Sequence, residues 1–213
     1  MWVEKFDFAE KVELQGLSNF AGRMNTMPRV TFAPGEYYHV FNRGVNRQRI
    51  FLSERNWGFF LVRLREYFSP DLADIIAYCL MPNHFHLLVL VKCNDFGLKV
   101  MQPFATSYTK AVNKEHQRVG PVFQGRFRAI HVDDNSYLVH LTRYIHRNPV
   151  DARLVKSAGE WQFSSFLDYV GRRAGTLPKP DIVLGQFVSL SDYAAYVEGT
   201  DDGYDMIAHL LLD

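Results

Sequence analysis

Residues 73–91 read ADIIAYCLM, then Pro82-Asn83, then HFHLLVLV. Two apolar runs of strand length joined by a turn-forming pair predict a β-hairpin, 73–81 against 84–91. Runs this rich in Ile, Leu and Val suit a buried sheet, yet the second begins with His84 and His86, one phenylalanine apart. Side chains two apart on a strand point the same way, so both imidazoles project from one face. Neutral imidazole is a common ligand of divalent metals. Two such ligands leave a third to come from elsewhere in the fold. Taken alone, the pair reads first as ordinary satisfied or exposed histidines.

The rest of the chain organises around this hairpin. YYHVFNR (37–43) alternates and is rich in aromatics, as a strand is. SERNWGFFLVRLREYF (53–68) has helical apolar spacing behind a serine N-cap candidate. GLKVMQPFATSYTKAVNKEH (97–116) reads as mostly helix, with Pro103 in its first turn. GRFRAIHV (125–132) is a short strand or extended arm. DDNSYLVHLTRYIHRNP (133–149) is a helix that should end near Asn148, because Pro149 disfavours helical geometry in the residue before it. WQFSSFLDYVG (161–171) is a short helix or turn, and a last helix falls within 190–212. The order β-α-β-β-α-β is the split ferredoxin-like, or RRM-like, pattern. It predicts an α+β domain: an antiparallel sheet with helices on one face, plus a C-terminal helical extension.

Charge is unevenly spread. Residues 99–156 carry ten basic and four acidic groups, and residues 157–213 carry three and nine. A basic middle is the electrostatic footprint of a polyanion partner, or simply a solvated surface. Cys79 and Cys93 match no metal spacing and no disulfide framework. There is no apolar run long enough for a transmembrane helix and no signal-peptide pattern at the N-terminus. The expectation is a cytoplasmic protein with no membrane partner.

LTRYIHRNPV carries the second constellation. Tyr144 and Asn148 are four apart, on one face of the predicted helix and one turn from each other. A phenol beside an amide oxygen suits a nucleophile next to a metal ligand. Packing tyrosine and helix-stop asparagine are the plainer readings. Tyr108, on a helix with Lys110 and Lys114 nearby, is a rival nucleophile, but position 112, four residues on, is a valine. Tyr137 and Tyr169 look like packing residues, and His140 like a core or surface histidine. Several groups are candidate phosphate contacts or ordinary surface residues: Arg43, Arg47, Lys110, Gln124, Arg126, Arg128, Arg143 and Arg147.

Together these motifs resemble the single-tyrosine HUH (IS200-like) transposases, and most closely the REP-associated tyrosine transposases of bacteria. The resemblance rests on YYHVFNRGVNRQRIF, AYCLMPNHFHLLV, FQGRFRAI, RYIHRNPVDARLV and WQFSSFLDYV, from about Tyr37 to about Val170. It implies that His84, His86 and Asn148 hold a divalent metal, Mg²⁺ or Mn²⁺, and that Tyr144 is the catalytic nucleophile. It further implies metal-dependent cleavage and rejoining of single-stranded or hairpin DNA through a 5′-phosphotyrosine, in a nucleoid-associated monomer or homodimer. A DNA-hairpin-binding regulator of the same fold is the alternative. The division expected is an N-terminal extension (1–26), disordered or the product of an upstream start, a transposase domain (27–175) and an acidic C-terminal extension (176–213).

Overall fold

The computed structural model describes residues 30–199. The expected 1–26 extension and the last part of the acidic extension, 200–213, lie outside the described residues. The elements are β1 (Tyr37–Arg43), α1 (Glu54–Tyr67), β2 (Ala73–Met81), β3 (His84–Val91), α2 (Gln102–Glu115), β4 (Arg128–Val132), α3 (Asn135–Asp151), α4 (Phe166–Tyr169), α5 (Asp181–Leu184) and α6 (Leu190–Glu198). The sheet order is β2-β3-β1-β4, with every pair antiparallel. This is the expected split pattern: a hairpin joins β2 to β3, and helical crossovers join the other strands.

Alternation along each strand sorts its side chains between two cores. Tyr38 and Val40 of β1 and Phe85, Leu87 and Val89 of β3 pack with Phe60 and Leu64 of α1 and Phe104, Tyr108 and Val112 of α2. Burying each such side chain contributes about 1.5–3 kcal/mol. Ile76, Ala77, Cys79 and Met81 of β2 and Leu88 of β3 face the other way, against Leu138, Leu141 and Ile145 of α3 and Tyr193 and Val197 of α6. A bulge between Ile75 and Ala77 lets Ile76 and Ala77 share that face. So α1 and α2 form the expected helical layer, and α3 to α6 cover the second face as well. The apolar runs of β2 and β3 have residues for both.

Helix ends follow local chemistry. Asn56, in the first turn of α1, accepts with Oδ1 from the backbone N–H groups of Leu52 and Ser53. Asp134 caps α3 by accepting from Ser136 N. A wide turn, Gly97–Met101, precedes α2, so the regular helix begins later than expected. The chain turns at Gly125, whose φ is 74°, and β4 begins only at Arg128.

One boundary is corrected. The helix does not stop at Asn148. It runs through Pro149 to Asp151. Pro149 has no N–H for the Ile145 carbonyl, but Ala152 N donates to Asn148 O and Leu154 N to Pro149 O beyond it. Asn148 and Pro149 are both buried, and that packing holds Asn148 helical against its preference before proline.

The segment 177–199, from the expected C-terminal extension, packs closely on this frame. Lys179 N donates to Ile75 O at the edge of β2. The end of α6 is gripped from α3: Arg143 donates to the carbonyls of Tyr196 and Gly199, and Arg147 to those of Val197 and Gly199. Among the described residues, no helix is long and apolar enough to cross a membrane.

Candidate active site

The site forms where β1, β3 and α3 meet on the second face. Phe41 pairs with His86 and Arg43 with His84 across the β1–β3 ladder. Paired residues share a face, so His84, His86, Phe41 and Arg43 stand together. His39, two residues before Phe41, joins them. From above, α3 lowers Tyr144 and Asn148, one turn apart, onto this group.

The four expected chemical residues come together. His84 Nε2 lies 3.1 Å from Asn148 Oδ1. The His84 and His86 rings meet edge to face, 4.9 Å between centroids. The Tyr144 ring stands edge-on to His86 at 5.4 Å and to His39 at 6.4 Å. His84, His86, Tyr144 and Asn148 line a cleft of about 760 Å³, with Phe41, Asn42, Arg43, Arg47, Asn83, Gln124, Arg128 and Asp151.

Each imidazole is held from behind by its Nδ1. That of His86 is 2.9 Å from His39 Nε2 in the interior. That of His84 is 2.6 Å from Asn83 Oδ1. Burial drives the His86 pKa well below the ordinary imidazole value, and the neighbouring His84 and His39 push it the same way. The His84 pKa is lowered too, mainly by burial, against the opposing hydrogen bond to Asn148. Both imidazoles are therefore neutral near pH 7, which is the form a metal requires.

The residues fit a divalent cation. Two cis ligands of an octahedral ion at about 2.1 Å are about 3 Å apart, close to the His84–Asn148 separation. Two imidazoles and an amide oxygen, with positions left for water or phosphate oxygen, suit Mn²⁺ and accommodate Mg²⁺. Among the described residues no three His, Cys, Asp or Glu side chains form a metal cluster.

The candidate phosphate contacts divide. Arg43, Arg47, Gln124 and Arg128 line the cleft, and Arg43 Nε donates to Gln124 Oε1 at 2.9 Å. Arg126 is exposed on the approach to β4. Lys110 lies in a separate shallow depression on α2 with Tyr67 and Gln102. Arg143 is buried and Arg147 half-buried, and neither lines the cleft. Their spacing on α3 is as expected, and their guanidinium groups donate to the carbonyls ending α6.

The rival tyrosine is a core residue. Tyr108 is fully buried, donates its hydroxyl to Ile50 O at 2.7 Å, and has a pKa raised by that burial. Tyr169 is buried likewise, donating to Ile76 O. His140 meets the hydroxyl of Tyr196 on α6. The sequence reading missed His39 and treated Asn83 only as a turn former. The signal for His39 was its position two before Phe41, on the strand that pairs with His84-Phe85-His86.

Comparison with known proteins places this geometry among relatives. The profile of the family described as "Transposase IS200 like" matches residues 34–148, just over half the chain. A Haemophilus influenzae protein, provisionally named a REP-associated tyrosine transposase, is 27% identical over 103 residues. That match takes in 44% of this chain and 58% of the relative's length. A solved REP-associated tyrosine transposase shares the fold at a TM-score of 0.54 and 20% identity, covering 73% of this chain and 94% of its own.

Proposed function

The chain belongs to the IS200-like transposase family, and on that basis we propose that it is a REP-associated tyrosine transposase that cuts and rejoins single-stranded or hairpin DNA through Tyr144. The observation that carries this reading is the meeting of Tyr144 with the His84–His86–Asn148 donor set in one cleft rimmed by Arg43, Arg47 and Arg128. The solved relative of like fold was captured bound to a REP hairpin, which supports the substrate class.

The roles follow from the chemistry. A phenol with a pKa of about 10 is a weak nucleophile at neutral pH, so it needs help at the moment of attack. A divalent cation held by His84, His86 and Asn148 would polarise the scissile phosphate and offset its developing charge. α3 fixes Tyr144 one turn from the amide ligand, so its oxygen and the phosphate meet in a set geometry. The Tyr144 oxygen bonds to phosphorus and the bridging O3′ departs, taking a proton. This leaves a 5′-phosphotyrosine and a free 3′-hydroxyl. A second 3′-hydroxyl reverses the step, and the covalent link conserves the bond energy, so no nucleotide cofactor is consumed. Arg43, Arg47, Arg126 and Arg128 neutralise backbone phosphates, with Gln124 beside Arg43, so binding weakens as salt rises.

The test is a denaturation-resistant adduct. The protein is incubated with Mn²⁺ or Mg²⁺ and a pool of single-stranded hairpin DNAs. The modified residue is then mapped by mass spectrometry. An adduct on Tyr144 is expected. An adduct elsewhere overturns the assignment of the nucleophile. Salt-sensitive binding without any adduct favours the hairpin-binding regulator.

A further inference from the structure

The hairpin turn Pro82-Asn83 does not hang free. The loop after β1 folds back over it and is tied to it by backbone bonds: Gly44 N donates to Asn83 O at 2.7 Å and Ile50 N to Pro82 O at 2.9 Å. The loop needs an unusual path to do so. Asn46 and Arg47 both take left-handed backbone angles, with φ of 52° and 57°. A Cβ on Gly44 would fall 2.0 Å from the Gln48 carbonyl oxygen, so the fold-back requires glycine there. Two consecutive non-glycine residues in this region cost energy that the surroundings must offset, and such strain clusters at functional sites.

What the path achieves is the placement of one carbonyl. Arg47 O accepts from Asn83 Nδ2 at 3.3 Å. A carbonyl can only accept, so the NH₂ edge of the Asn83 amide faces Arg47 and the oxygen edge faces away. That oxygen lies 2.6 Å from His84 Nδ1 and likewise can only accept. Each ring nitrogen of His84 faces an amide oxygen, but the Asn83 contact is the shorter, 2.6 against 3.1 Å, and its oxygen edge is fixed by the bond to Arg47, so the proton of a neutral His84 sits on Nδ1. Its lone pair is on Nε2, which points to Asn148 Oδ1 3.1 Å away. Two acceptors then face each other across the cleft, an arrangement that a cation between them relieves.

We propose that Asn83 is a positioning residue: held by the Arg47 carbonyl, it locks His84 in the Nδ1–H tautomer and presents Nε2 as a metal donor. This rests on the metal-ligand role given to His84 above and adds a relay that reaches it from the strained loop. Outer hydrogen bonds of this kind tune metal affinity 10–100-fold, order of magnitude. The side chain of Asn83 thus acts through His84.

The test has two readouts besides activity. Long-range ¹H–¹⁵N correlation of the imidazole nitrogens in the metal-free protein reports the tautomer directly. The expected pattern for His84 is a protonated Nδ1 and an unprotonated Nε2. A protonated Nε2 overturns the proposal. Mn²⁺ titration by calorimetry then compares wild type, Asn83→Ala and Asn83→Asp, each checked for folding by thermal melting. Asn83→Ala should weaken Mn²⁺ binding about 10–100-fold, and Asn83→Asp, which keeps the acceptor, should restore most of it. Equal affinity in wild type and Asn83→Ala overturns the proposal and leaves the functional reading standing. Failure of the wild type to bind Mn²⁺ removes the functional reading, while the tautomer measurement still decides the role of Asn83. Should Asn83→Ala fail to fold, the wild-type spectrum decides alone.

Discussion

His39 Nε2 and His86 Nδ1 meet at 2.9 Å in the interior, two imidazoles from neighbouring strands that share one hydrogen bond. Replacing His39 with leucine keeps the volume near but leaves His86 Nδ1 buried without this partner. A buried polar atom deprived of its bond costs about 1–3 kcal/mol. The variant should melt several degrees lower and bind Mn²⁺ at least about tenfold more weakly. His39→Gln, which retains a hydrogen-bonding side chain, should recover part of both. Thermal melts and Mn²⁺ titrations check this, and an unchanged Mn²⁺ affinity in His39→Leu would show that His39 only packs.

The two tyrosines separate chemistry from packing. Tyr144→Phe should fold, bind hairpin DNA and form no covalent adduct. Tyr108→Phe should form the adduct normally and lose about 0.5–1.5 kcal/mol of stability, because it forfeits only the bond to Ile50 O. Denaturing gels and chemical denaturation read the two effects. Adduct from Tyr144→Phe would point to water or another residue as the nucleophile.

Arginines of the cleft and arginines under α6 should behave differently. Arg43→Ala or Arg128→Ala should weaken hairpin binding and lower the salt-dependence slope by about one each. Arg143→Ala should leave that slope alone and lower the melting temperature, because its guanidinium ties down the carbonyls of Tyr196 and Gly199. Binding measured across a salt series, beside melting curves, distinguishes them. A slope change in Arg143→Ala would place it on the DNA.

Acid should unfold the protein partly through His146. This imidazole is fully buried between the Tyr193 hydroxyl at 2.6 Å and Ser165 Oγ at 2.7 Å. Burial, with the Arg173 charge adding to it, lowers its pKa to about 3. In the unfolded chain it titrates near 6.5, so between those values the unfolded state holds the extra proton. The stabilisation is complete above about pH 6.5 and is lost as pH falls toward 3, at no more than about 1.4 kcal/mol per pH unit. Melting temperatures from pH 8 to pH 4 should fall, and less steeply in His146→Gln. An equal slope in the variant would assign the effect to other groups.

The β1, β2 and β3 boundaries were legible because aromatic and branched residues are dense there and Pro82-Asn83 punctuates them. Two periods, two on a strand and four on a helix, made each pair legible, His84 with His86 and Tyr144 with Asn148, but that the two pairs meet was legible only through the family resemblance. The length of α3 was not. Local preference at Asn148-Pro149 favours a stop, and burial of both residues overrides it. Nor were the tasks of Arg143 and Arg147 legible, since only the docking of α6, some fifty residues later in the chain, turns them from surface charges into clamps. His39 escaped notice because its role exists only through pairing with a strand that follows it by more than forty residues.

The backbone bonds between the Gly44–Ile50 loop and the Pro82-Asn83 turn have one more consequence. Arg43 and Arg47, proposed to contact the DNA backbone, and His84, proposed to hold the metal, are mounted on one hydrogen-bonded frame. On the functional reading given above, that frame is a ruler. The cut falls a fixed number of nucleotides from the gripped phosphates, whatever the base sequence between them, and a lengthened loop would move the cut along the strand.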